Sequence, residues 1–402
     1  MISITPYITN DRLSGDYQVK LMNLLQEDAA LNASIPSAIR SSLDWLLRMV
    51  NSYYSNKIEG NSTHPKDLLQ AQKYQNEYAT AKLAKDIIEI LAHQEAQFKL
   101  AAYATDSDQI WSEAFFKGIH KMFYSGVPDD MLLVKDVHGQ VFLKEDGTPL
   151  KLIPGQYRDR DVKVGRHIPP KAEDISGYMS WIIRAYHPET LFATQSVLAA
   201  IAMHHRLAWV HPFIDGNGRA IRLLTDCYMK KLTGLSGYGL WSVTRGFALQ
   251  TKEYYKALAE ADKPRQGSTD GRGQLSDKGL MCFTEYFIDT ALDQIRFFAG
   301  LYDAQKLNSR IDYYFAMRER NALPEDAAPI RPEARDIYKL LLKSGPMPRS
   351  AICKQIGKGE QTLRPVLKQM HEEGFISIKP KCDIKLKLSP MSVNMLFPSL
   401  LV

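Results

Sequence analysis

Residues 211–222 read His-Pro-Phe-Ile-Asp-Gly-Asn-Gly-Arg-Ala-Ile-Arg, and most of these types have a use around a phosphate. Pro212 interrupts the apolar helical stretch expected over 197–209. Gly216-Asn217-Gly218 suits a tight turn whose backbone N–H groups converge as the next helix begins, at Asn217 or Gly218. Such an end is an anion site. Arg219 falls in the first turn of that helix and Arg222 three residues on, along one face. Two guanidiniums beside the turn suit a polyphosphate better than a single phosphate. Asp215 offers an oxygen ligand for Mg²⁺, whose other ligands would be phosphates and water. His211, with an ordinary pKa of roughly 6.5, suits a general base at neutral pH. Phe213 is expected to point into the core and anchor the loop. An Asp-Gly turn ahead of a solvated arginine helix needs no ligand, so the combination carries the reading, not any one residue.

The elements around this loop are mostly helical in pattern. Residues 35–54 place Ile39, Leu43, Leu46 and Leu47 at helical spacing after Pro36, with Gly60 and Asn61 as a stop. Further helices are expected over 66–100, 111–124, 174–186, 188–209, 217–231, 253–261 and 283–301. Residues 135–170 hold many glycines, prolines and charges and read as hairpin and loop. The polar, glycine-rich 262–279 is expected to be a mobile surface loop. A polar stretch at 324–332 then precedes a unit of different texture: helices over 333–342, 349–356 and 359–374, and strands over 375–379 and 384–388. In the last strand Ile384, Leu386 and Leu388 face one way, and Lys385 and Lys387 the other.

Composition narrows the class. The chain has 402 residues, 45% hydrophobic and 24% charged, with a formal net charge of +6, as expected of an ordinary soluble protein. No run of eighteen apolar residues suggests a membrane span, and the first residues lack the pattern of a secretory signal. The expectation is a cytoplasmic protein with no membrane partner. Cys227, Cys282, Cys353 and Cys382 include no CxxC pair, which argues against zinc and redox motifs and a disulfide framework.

The string HPFIDGNGRAIR resembles the Fic motif, HPFx(D/E)GNGRxxR, at every fixed position, and the likeness extends over roughly residues 35–300. It implies an all-α Fic core with a small β-hairpin flap, for which 155–170 is the candidate, and a C-terminal winged-helix domain. The domains expected are an N-terminal helical region over 1–100, the Fic core over 101–305, and a linker with the winged helix over 306–402. The activity implied is transfer of AMP from ATP to a Tyr, Thr or Ser hydroxyl of a target protein or of the chain itself (autoAMPylation). By the resemblance, His211 would deprotonate the hydroxyl and Asp215 would hold Mg²⁺. Gly216, Asn217 and Gly218 would steady the phosphates, and Arg219 and Arg222 would bind the β/γ end. Phe213 would anchor the loop, and Tyr254 and Tyr255 would lie near adenosine. The flap would pair with the target's backbone.

Residues 55–60, Ser-Asn-Lys-Ile-Glu-Gly, resemble the inhibitory motif (S/T)xxxE(G/N) through Ser55 and Glu59. The resemblance implies that Glu59 pairs with Arg222 and occupies the arginine needed for the γ-phosphate. Read alone, Glu59 is a carboxylate at a helix C-terminus, slightly unfavourable for the helix dipole, which an arginine partner would offset. Alternatives on the same scaffold are removal of AMP, both reactions in one protein, or transfer of UMP, phosphocholine or phosphate. A reading of another class is a DNA-binding regulator whose Fic domain senses nucleotide. For the winged helix, Lys358, Arg364, Lys368, Lys379, Lys381, Lys385 and Lys387 suit DNA, although such domains also bind proteins. A homodimer is a further expectation.

Overall fold

The computed structural model describes all residues except 1–3, 66, 69–84, 103–109, 136–138, 193, 272, 324–327, 389–392 and 402. The described chain is mostly helical, and its one named sheet is the two-stranded β1–β2 near the C-terminus. It divides into two compact units, one made of residues 1–29, 51–62 and 83–295, the other of 30–50, 63–82 and 296–402.

The first unit is built on helices α6 (Thr194–Val210) and α7 (Asn217–Leu232), which fold back on each other across the loop 211–216. Helix α6 is buried almost all round, as an apolar core helix must be. Its polar residues are buried with partners: His204 meets Thr225 Oγ1 and Tyr254 Oη, each at 2.8 Å, and His205 meets Asp262 Oδ1 at 2.9 Å. Helices α3 (Lys85–Ala102), α4 (Glu113–Tyr124) and α5 (Ile175–Ala185) surround this pair, with α4 packed on both α3 and α7. Ser112 starts α4, its Oγ accepting from the Phe115 amide at 3.1 Å. Phe115, Phe116, Ile119, Phe123 and Tyr124 turn the buried face of α4 inward. The helix expected over 66–100 is seen as α3, and much of its first half lies outside the described residues. Helices α1 (Gly15–Ser34) and α2 (Ser37–Ile58) precede it, and the last two turns of α2, ending before the positive-φ Gly60, belong to the first unit.

Two expectations for this unit change. The hairpin texture at 135–170 resolves into two parts. Among the described residues of the first part, the bridges Leu133–Lys151, Lys135–Val141 and Leu143–Pro149 pair short antiparallel stretches. The candidate flap over 155–170 holds no named strand and is closed only by the Val164–His167 bridge. The loop 262–279 is tethered, not free. Pro264 bridges Leu275, and the buried Asp270 carboxylate accepts from the amides of Gln266 and Lys278, both at 2.9 Å. A polar composition marks a loop's surface; it does not reveal a carboxylate that ties two backbones together.

The second unit ends in the expected order of helix, helix, helix and hairpin: α12 (Glu333–Ser344), α13 (Arg349–Ile356), α14 (Glu360–Glu372), β1 (Ile376–Ser377) and β2 (Lys385–Leu386). The strands are antiparallel, Ile376 facing Leu386, and Met347 bridges Ile384 to extend the hairpin. Helices α8 (Thr244–Leu249), α9 (Thr251–Ala261), α10 (Asp277–Tyr302) and α11 (Ala304–Glu319) lie between the two hairpin regions in sequence. A short helix, α15 (Val393–Leu396), was not expected; it packs on α11 and buries Val393 and Leu396.

Candidate active site

Helix α6 ends in His211, whose left-handed φ of 50° stops the helix while its amide still bonds the Leu207 carbonyl at 3.0 Å. Histidine is among the residues that tolerate this region. Phe213 follows, fully buried and stacked on the His120 ring at 3.8 Å between centroids. Asn217 closes the loop. Its Oδ1 accepts from the Phe213 amide and its Nδ2 donates to the Phe213 carbonyl, both at 2.8 Å. The Asn217 side chain is thus spent on the loop, leaving its backbone amide for any ligand.

Gly216, at φ 74°, begins α7 with no side-chain cap. The first amides of a helix have no acceptor within it, so this is an anion site without a built-in oxygen of its own. A carboxylate from elsewhere comes to it. A Cβ placed on Gly218 would stand 2.2 Å from Glu59 Oε1, so the glycine lets the carboxylate come this close to the helix start. The same Oε1 accepts from Arg222 Nη2 at 2.6 Å, and Ser55 completes the contact. Its Oγ accepts from Arg222 Nε and its carbonyl from Nη2, both at 2.9 Å. Ser55 and Glu59 are one turn apart at the end of α2, so both reach one guanidinium. The Arg222 side chain is 2% exposed and that of Glu59 32%.

Arg219 turns the other way. Its Nη1 pairs with Glu89 Oε1 at 2.9 Å, its Nη2 donates to Tyr124 Oη at 3.2 Å, and its guanidinium lies 4.7 Å from the Phe123 ring centre. Its Nε is buried with no partner. Asp215 is exposed, its Oδ1 accepting from the Gly216 amide at 2.6 Å. It lines a cleft of about 380 Å³ with Ile214, Lys85, Asp86, Glu89 and residues 131 and 133–135.

The half-buried His211 imidazole is held neutral. Burial, with His167 and Arg158 nearby, pushes its pKa down to about 4. Its backbone is fixed by Arg158, a buried residue that the sequence reading passed over. Arg158 Nε donates to the His211 carbonyl at 2.9 Å, and its own amide donates to Pro212 O at 2.9 Å. Its remaining guanidinium nitrogens bond the carbonyls of Arg160 and Pro170, which ties the segment 155–170 to the histidine. Tyr254 and Tyr255 separate. Tyr254 is buried, stacked on Phe247 and bonded to His204, whereas Tyr255 is 46% exposed and donates to the Ile58 carbonyl at 3.3 Å.

The structure therefore gathers His211, Asp215, Gly216, Gly218, Arg222, Ser55 and Glu59 at one helix start. Phe213 and Asn217 build the loop from behind, and Tyr254 sits in the core. His120, Tyr124, Glu89 and Arg158 join them from distant parts of the sequence.

Residues 112–229 match the model of the Fic/DOC family. This segment is similar to a Fic/DOC domain. It includes α4, α5, α6, most of α7 and the whole loop 211–222. The Protein adenylyltransferase Fic of Drosophila erecta is 38% identical over 77 residues, 19% of this chain and 16% of that protein. The protein of the same name from Culex quinquefasciatus is 34% identical over 108 residues, 27% of this chain and 21% of that one. The matches thus span about a fifth of these curated relatives. Among solved structures, a Fic family protein from Desulfovibrio desulfuricans superposes with a TM-score of 0.51 at 15% identity, covering 96% of this chain and 98% of that one. Fic-1 from C. elegans gives 0.51 at 18% identity, covering 72% and 73%. At these identities the likeness is one of fold.

Proposed function

We propose that this chain is a protein adenylyltransferase, moving AMP from ATP to a side-chain hydroxyl of a protein, and that Glu59 restrains it. The observation that carries the proposal is the carboxylate of Glu59 bonded to Arg222 and lying against Gly218 at the uncapped start of α7. A buried arginine that holds one anionic group beside a helix start is placed to hold another.

In this reading the polyphosphate takes the place of the Glu59 carboxylate. The amides of the first turn of α7 and the guanidinium of Arg222 meet its outer phosphates, and the partnerless Nε of Arg219 is a further donor. His211, neutral at pH 7, takes the proton of the target hydroxyl. That oxygen attacks the α-phosphorus, the bond to the β-phosphate oxygen breaks, and pyrophosphate leaves. Alignment and fixed dipoles lower the barrier. The residues fit Mg²⁺ held in the manner usual for nucleotide sites, by one carboxylate and the phosphates. Asp215 is the exposed carboxylate at the loop, and the described residues offer no cluster of three or more His, Cys, Asp or Glu as an all-protein cage. When bound, the ion would neutralise charge on the phosphates. The target would lie along 155–170, where Ile168 is 74% exposed and Arg158 fixes the strip to His211.

The test is mass spectrometry of cell lysate incubated with the Glu59→Gly protein, ATP and Mg²⁺. An AMP adduct on a Tyr, Thr or Ser is the expected result. A UMP, phosphocholine or phosphate adduct would replace AMP transfer with another reaction, and loss of AMP from a pre-modified protein would replace transfer with removal. No change in any protein, with ATP bound, would leave a nucleotide sensor.

A further inference from the structure

Helix α4 carries His120 and Tyr124 one turn apart, on its buried face. Residues four apart on a helix lie one above the other, and here both reach the same residue of the loop. The His120 ring accepts from the Gly155 amide at Nδ1, 2.8 Å. Its hydrogen is therefore on Nε2, which donates to the Asp215 carbonyl at 3.1 Å. Tyr124 Oη accepts from Arg219 Nη2 at 3.2 Å and donates to Asp215 Oδ2 at 3.4 Å. One phenol thus joins the carboxylate to the guanidinium. Its donor and acceptor roles are both used, since Arg219 can only donate and an ionised carboxylate can only accept.

Packing enforces the arrangement. The His120 ring is stacked flat on Phe213. The Tyr124 ring fills the space over Gly216, where a Cβ would stand 2.5 Å from its ring carbon and hydroxyl. The backbone of Asp215 is fixed by one side chain and its carboxylate by the other.

We propose that His120 and Tyr124 are the positioning pair of Asp215, and that the Tyr124 hydroxyl sets the site's affinity for a divalent cation bound with nucleotide. This rests on the proposed function only in taking Asp215 as the cation's protein ligand. Partners behind a metal ligand orient it, and their loss costs on the order of tenfold or more in metal affinity.

Tyr124→Phe removes one oxygen and keeps the ring over Gly216. In the Glu59→Gly background, Mn²⁺ is titrated by electron paramagnetic resonance, alone and with saturating ATP, and Mg²⁺ dependence is followed by labelling. The expected result is a Mn²⁺ affinity lower by on the order of tenfold in Tyr124→Phe. The Mg²⁺ concentration for half-maximal labelling should rise in step, and high Mg²⁺ should recover most of the lost rate. An unchanged Mn²⁺ titration, or a loss of rate that no Mg²⁺ concentration restores, would overturn the proposal. Should Glu59→Gly label nothing, the adenylyltransferase reading fails by itself, and the Mn²⁺ titration still decides the role of Tyr124.

Discussion

Two cationic regions of this chain are built in opposite ways. At the start of α7, Arg219 and Arg222 are buried and each is met by a glutamate, Glu89 of α3 and Glu59 just past the end of α2. On the C-terminal hairpin, Lys379, Lys381, Lys385 and Lys387 are exposed, and no carboxylate lies within ion-pair distance of them among the described residues. Buried charge must be compensated by the fold itself, so the first region carries its own counter-anions; in the proposed reading Glu59 gives way to the nucleotide. Exposed charge is hydrated, screened by salt and open to any polyanion. The first design suits a switch, the second a surface for diffuse attraction.

The comparison can be broken or sharpened in turn. The largest effect is expected at the base: His211→Ala in the Glu59→Gly background should cut AMP labelling by about 10²–10⁴-fold while calorimetry still reports ATP binding. Labelling that survives would remove His211 from the chemistry. Next, Glu59→Gly alone should raise autolabelling by on the order of ten- to a hundredfold, the equivalent of about 1.5–3 kcal/mol for one charged hydrogen bond. Labelling equal to the parent would mean that the buried pairs are structural only. A smaller effect is expected on the exposed side. If the hairpin meets nucleic acid, Lys385→Glu with Lys387→Glu should lower the salt slope of duplex DNA binding by about one per lysine, with autolabelling unchanged. An unaltered slope would place any such contact elsewhere.

The smallest is a shift in pH. The folded pKa of His211, about 4, lies below the ordinary histidine value because burial and neighbouring cations disfavour its charged form. The base is therefore free at neutral pH and is lost only as pH falls toward that value. Protonating it also opposes folding, so the stability it allows grows as pH rises from about 4 to roughly 6.5. The acid limb of kcat/KM for ATP should accordingly lie below the usual histidine range. A limb near 6.5 would show an imidazole more exposed to solvent than this one.

Much of the fold was legible because helices announce themselves locally. The apolar spacing of 35–54, the helical pattern over 111–124, and the Pro212 and glycine breaks around 211–218 each act within a few residues. The three helices and alternating strands of the C-terminal unit were equally local. Read from its residues alone the site was legible only where its chemistry is contiguous; the distant Glu59–Arg222 pair came from the family resemblance. Glu89, His120, Tyr124 and Arg158 act on residues 53 to 130 positions away, and nothing in their own neighbourhoods marks them; Tyr124 reads as one more aromatic on an apolar helix face. The expected flap is a minimal hairpin, closed by the Val164–His167 bridge. Much of its order comes from Arg158 bonded to carbonyls and not from long paired strands. Asp270 likewise ties down a loop whose composition suggests freedom.

Gly218 gives the restraint an unusual inheritance. The gap left by its absent side chain admits the Glu59 oxygen, and the proposed phosphate chain would enter through the same opening. In the proposed reading a methyl group there would push the Glu59 carboxylate aside and narrow the way in for the phosphate chain, so one position would weigh on both restraint and substrate.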